Sequence, residues 1–72
     1  MEKTIDYELK RGDTPRLLRE MEVGDVLRFP IVKHKSVRNT VYNDLVVERS
    51  EGCRWSVSPD LLNKQSVVTR TA

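Results

Sequence analysis

Seventy-two residues, 38% apolar and 33% charged with both signs interspersed, make one folded domain near the lower size limit for a single core, and they exclude a disordered tail. The lone Cys53 cannot form an internal disulfide and His34 is the only histidine, so no zinc ligand set exists and a reducing, cytoplasmic setting is expected. Net charge is +2, divided as −2 over residues 1–25 and +4 over residues 26–72, which makes the C-terminal two thirds the anion-facing part.

The start, Met1-Glu2-Lys3-Thr4-Ile5-Asp6, lacks the apolar core of a signal peptide. No apolar run approaches the roughly 20 residues of a membrane span, so no membrane partner is expected.

Thr4 to Lys10 alternates strictly, with Ile5, Tyr7 and Leu9 on one side, and predicts a half-buried strand. Within residues 1–12 this segment reads as an edge strand or as an arm that orders with a partner. Arg11-Gly12-Asp13-Thr14-Pro15 predicts a turn into a short helix, with Asp13 or Thr14 as N-cap and Pro15 in the first helical position. Leu17, Leu18 and Met21 are its expected buried side, and Gly24 its stop.

Val26 to Val32 follows as a strand with Leu27, Phe29 and Ile31 inward and Arg28 outward. Pro30 has no amide to donate to a ladder, which puts the strand at an edge or ends it early. Ser36 is the expected N-cap of a longer second helix, in which Val37, Val41 and Leu45 recur every four residues. That stripe is narrow and β-branched, so the helix depends on packing rather than on propensity.

Ser50-Glu51-Gly52 closes the helix, and Cys53 to Ser58 alternates again with Cys53, Trp55 and Val57 on one face. Ser58 to Gln65 reads as a connection, and Ser66 to Thr71 as the last strand. The sum is a single α+β domain over residues 1–72: an antiparallel sheet with one short and one longer helix, in the order β-α-β-α-β-β with a C-terminal hairpin.

Lys33, Lys35 and Arg38 gather at the start of the second helix, where cations meet the positive end of the helix dipole at a cost of a few tenths to ~1 kcal/mol each. A bound phosphate reverses that sign by meeting the cations and the free amides after Ser36 together. Read blandly, the three are solvated charges on a charge-rich surface.

The outward face of this helix shows Arg38, Asn39, Tyr42, Asn43 and Arg49. Two asparagines there are a local cost without structural return, whereas Arg and Asn can pair with base edges. The plain alternative is that the asparagines are ordinary surface positions and Tyr42 leans on the core.

Arg54 and Arg70, on the hairpin, are expected to flank the site. Trp55, in phase with Cys53 and Val57, is expected to anchor the core rather than to stack on a base. No Ser, Thr or Cys stands at a recognisable spacing from His34, so catalysis is not expected, and neither is a cofactor.

Leu17-Leu18 to Met21, Val23-Gly24-Asp25, Phe29-Pro30, Ser36-Val37-Arg38 and Val68-Thr69-Arg70 together resemble a pattern in small proteins of bacteriophages and mobile elements of gut bacteria. The resemblance covers most of residues 17–70 and brings no assigned activity or site residues. It implies a DNA-related accessory role.

The resulting expectation is a non-catalytic protein that binds nucleic acid, in particular duplex DNA. Lys33, Lys35, Ser36 and Arg38 hold phosphate, Asn39, Tyr42 and Asn43 meet bases or sugars, and Arg54 and Arg70 flank. The alternative is a protein-interaction module, or a homodimer, that pairs through the N-terminal strand or through the strand ending near Pro30.

Overall fold

The chain joins its sheet earlier than the alternation of residues 4–10 predicts. In the computed structural model, which describes residues 2–6, 8–10 and 12–72, strand β1 is Glu2–Thr4, and the Ile5 amide adds a bond to the Arg28 carbonyl at 2.7 Å. None of the described residues from Ile5 to Lys10 belongs to a strand, yet Ile5 is buried and Leu9 half-buried, so both keep their inward places. Tyr7, the third residue of that predicted face, and Arg11 of the next turn lie outside the described residues.

β1 runs parallel to β2 (Val26–Pro30), with Lys3 opposite Leu27, which corrects the expectation of a wholly antiparallel sheet. The connection is the reason. A chain that crosses over through a helix, here α1 (Asp13–Arg19), returns in the direction it left.

Gly12, at φ +88°, takes the N-cap position of α1 in place of Asp13 or Thr14, so Pro15 is the third helical residue rather than the first. The substitution is cheap, because a helix leaves its first amides without intrahelical partners anyway. Asp13 instead braces the incoming loop, its Oδ2 accepting the Lys10 amide at 2.8 Å. Leu18 and Met21 are buried and Leu17 half-buried, as the spacing predicts. α1 ends at Arg19, well before Gly24, which at φ +93° serves the following turn.

β2 lies inside the sheet, whose order is β1-β2-β4-β3, with β3 being Trp55–Asp60 and β4 Gln65–Arg70. Of the two outcomes open to Pro30, early termination is the one realised. β1 stops opposite Arg28, so no neighbour on that side asks Pro30 for an amide. Ile31 leaves the strand to begin a 3-10 turn, and its amide donates to the Lys64 carbonyl at 3.0 Å.

The second helix therefore starts five residues before Ser36. Its segments are the 3-10 turn Ile31–Lys33, α2 (His34–Asn39), a π turn Thr40–Asp44 and α3 (Val46–Ser50). Ser36 is not an N-cap. It lies inside α2, and its carbonyl accepts the Thr40 hydroxyl at 2.9 Å.

Val37, Val41 and Leu45 are buried, as predicted, and the π turn explains how three residues at four-residue spacing stay on one face. Four residues of α-helix overshoot a full turn by about 40°. The wider turn, closed by the Leu45 amide on the Thr40 carbonyl at 3.1 Å, takes up an extra residue and brings Leu45 back under Val41. Gly52, at φ +101°, then ends α3 in a Schellman motif: the Cys53 amide reaches Glu48 O and the Gly52 amide Arg49 O, each at 3.1 Å.

β3 and β4 form the predicted hairpin, but β3 continues through Ser58 and Pro59 to Asp60, leaving only residues 61–64 as the turn. Pro59 is tolerated because β3 is an outer strand. Leu27, Phe29, Ser66 and Val68 share the inner face of the sheet, under α1 and the second helix. Trp55 packs half-buried against this core and donates Nε1–H to the Leu18 carbonyl at 3.1 Å.

The outer face is polar. Its centre is Arg28, which reaches Glu2 at 3.0 Å, Asp60 at 3.3 Å and Gln65 at 3.2 Å. No described helix is long and apolar enough to cross a membrane.

Candidate nucleic-acid interface

From Pro30 to Asn43 the chain has no acidic residue, and the helix built from it carries Lys33, Lys35 and Arg38 on its exposed side. Burial of Val37, Val41 and Leu45, with Thr40 beside them, turns the opposite side outward, so Ser36, Asn39, Tyr42 and Asn43 are exposed with the cations. Lys33, Lys35, Arg38 and Arg49 form no ion pair among the described residues. Arg16, Arg19 and Arg28 each have a carboxylate partner, Asp13, Glu48 and the Glu2/Asp60 pair respectively.

The exposed side has two flanks with Asn39 on the crest. On one, Lys33, Ser36 and Asn43 face Lys10, Gly12 and Thr14 across a groove of about 600 Å³. On the other, His34, Lys35, Arg38 and Tyr42 line a hollow of about 300 Å³. Tyr42, 54% exposed, has the Arg38 guanidinium 5.9 Å and the Arg49 guanidinium 5.2 Å from its ring centre. An aromatic ring held beside two such cations is a surface for flat, electron-rich groups, and the cations serve anions.

Because Ser36 is internal to the helix, the predicted end-on contact of phosphate with amides after it is not available. The first amide of the helical stretch, that of Ile31, is already donated to Lys64. Anion contact on this helix belongs to side chains.

Arg54 and Arg70 do not join the cluster. They stand where β3 and β4 begin and end, beside the Trp55–Arg70 pair. The second helix begins beside the opposite Asp60–Gln65 end, five residues or about 17 Å along the ladder. Arg54 Nη1 donates to the Arg49 and Cys53 carbonyls at 2.7 and 2.8 Å. Arg70 donates to the Met21 carbonyl, to Ala72 O at 3.0 Å and to Cys53 Sγ at 3.4 Å, with its guanidinium 5.5 Å from the Trp55 ring centre. Both are structural donors.

Lys10 was not legible as part of the site, because only the path of the loop between β1 and α1 brings it across from Lys33. His34 is the first residue of α2. Its Nδ1 shares a 2.7 Å hydrogen bond with the buried Ser66 hydroxyl, which ties the start of α2 to β4. Among the described residues, no group of His, Cys, Asp and Glu side chains could hold a metal ion. No protein-family model, curated protein or solved structure matches the chain.

Proposed function

We propose that the protein is a small non-catalytic nucleic-acid-binding protein of the cytoplasm, with duplex DNA as its partner, in the accessory role that the likeness to phage and mobile-element proteins implies. The observation that carries this reading is the set Lys33, Lys35 and Arg38, cations without ion-pair partners among the described residues, on the carboxylate-free stretch from Pro30 to Asn43, with the Arg38 and Arg49 guanidinium groups beside the exposed Tyr42 ring. Lys33, Lys35 and Arg38 hold phosphates. Asn39, Tyr42 and Asn43 meet bases or sugars, and Lys10 closes the groove on its far wall.

The test is binding to a random-sequence duplex across a salt series. Affinity is expected to fall steeply between low and moderate salt. The triple variant Lys33→Ala/Lys35→Ala/Arg38→Ala should lower the log–log slope by about three. No binding at low salt, or a slope indifferent to the triple variant, would falsify the reading.

A second reading is an interaction module or homodimer joined through a sheet edge. It draws on the outer positions of β1 and β3, each of which has one side without a neighbouring strand among the described residues. It expects concentration-dependent sedimentation that the same triple variant leaves unchanged. A monomer at all concentrations, together with loss of DNA binding in the triple variant, removes it as the main function.

A further inference from the structure

The β3–β4 hairpin ends in Leu61 and Leu62, which are 76% and 92% exposed, and Val32, 82% exposed, follows the residue tied to that turn. Turn chemistry gives no reason for two adjacent leucines, since turn positions are served by Gly, Asn, Asp, Ser and Pro. The backbone beneath them is braced. Asp60 Oδ1 accepts the Asn63 amide at 3.2 Å, and its Oδ2 accepts Asn63 Nδ2 at 2.9 Å and Arg28 Nη1 at 3.3 Å. The tip is thus a fixed apolar projection rather than a slack loop.

Its surroundings are cationic. Lys64 closes the turn, and its carbonyl takes the Ile31 amide, so the helical stretch carrying Lys33 and Lys35 begins beside the leucines. Asp60, the one carboxylate of the hairpin end, is already engaged by Asn63 and Arg28.

We infer that the hairpin tip is a wedge: with Lys33, Lys35 and Lys64 on phosphates, Leu61 and Leu62 enter between base pairs of a duplex and kink it. The inference rests on the nucleic-acid reading and adds to it a mode of contact and a deformed substrate. Apolar side chains inserted at a base step unstack it and bend the duplex, and neighbouring cations hold the bent backbone. Charge complementarity selects this occupant, because an apolar pair bordered by lysines suits a polyanion with stacked apolar planes inside it.

The experiment is energy transfer between dyes at the two ends of a duplex of about 25 base pairs, with binding measured on the same samples. Wild type should bring the ends closer. Leu61→Ala/Leu62→Ala should still bind at low salt, within about tenfold of wild type, but leave the duplex straight. Leu61→Met/Leu62→Met should restore the bend. Circular dichroism checks that these surface variants fold.

A duplex that is bound but unbent, or bent equally by the alanine variant, overturns the wedge and leaves the nucleic-acid reading standing. No duplex binding removes both. Sedimentation with phosphatidylglycerol vesicles that carries down wild type but not the alanine variant, without DNA bending, assigns the tip to a lipid surface instead and overturns the wedge.

Discussion

Arg70 holds together the end of the sheet at which the chain finishes. Its guanidinium donates to Met21 O and Ala72 O, reaches the Cys53 sulfur and lies over Trp55, which itself donates to Leu18 O. Removing it leaves several acceptors to find water and uncovers one face of the tryptophan. Arg70→Ala is therefore expected to lower stability by about 1–3 kcal/mol in urea denaturation. Arg70→Lys should recover little, because an ammonium cannot reach acceptors in several directions within one plane. Lys35→Ala, exposed and without an ion pair among the described residues, should stay within about 0.5 kcal/mol of wild type. The two substitutions separate folding from binding, since only the second should weaken DNA affinity.

At the scale of the element, the stretch from Ile31 to Ser50 exists because of its buried stripe rather than its propensity. Val37, Val41, Asn39 and Asn43 are weak helix formers, and the segment survives by packing Val37, Val41 and Leu45 against Phe29 and Val68. Leu45→Ala is expected to cost about 2–5 kcal/mol, read from the urea midpoint, and to reduce helical ellipticity. Gly52 occupies the left-handed region that ends α3, with open space where a Cβ would stand, so its cost is conformational. Gly52→Ala should destabilise by about 1–2 kcal/mol, and Gly52→Asn by less. The stripe and this stop are legible in the sequence, because apolar spacing and a glycine at a helix end are local signals. The 3-10 and π turns are not, since they answer to where the sheet places the buried face.

Across the whole molecule, carboxylates tie separate elements together, and three of them are held below their ordinary pKa. Asp60 is lowered first by the Asn63 side-chain amide, then by the Asn63 backbone amide and by Arg28, which also binds Glu2 on β1. Glu48 is lowered by its own backbone amide and by Arg19, whose Nε sits 2.7 Å away and joins α1 to α3. Asp25 is lowered chiefly by the Glu22 amide. Groups lowered in the folded state stabilise it above their unfolded pKa, and that contribution is lost as pH falls through the folded values. Thermal melts should thus be nearly flat from neutral pH to about 5, and the midpoint should drop below about 4. Asp60→Asn should lower the plateau and make the drop shallower.

Period and punctuation alone determined the order β-α-β-α-β-β, the inward Leu27 and Phe29 of β2, the helix stripe and the exposure of Lys33, Lys35, Arg38, Asn39, Tyr42 and Asn43. These follow from interactions between residues a few positions apart. Only the tertiary structure decided that β1 pairs in parallel, that Ser36 lies within a helix begun at Ile31, that Arg49 joins Arg38 beside Tyr42, and that Lys10 faces Lys33 across a groove. It also engaged Arg54 and Arg70 with backbone carbonyls away from the second helix's start, and left Leu61 and Leu62 outward. Each of these depends on which distant segment happens to lie alongside, and a flexible cationic side chain goes to whichever carbonyl or anion that neighbour presents.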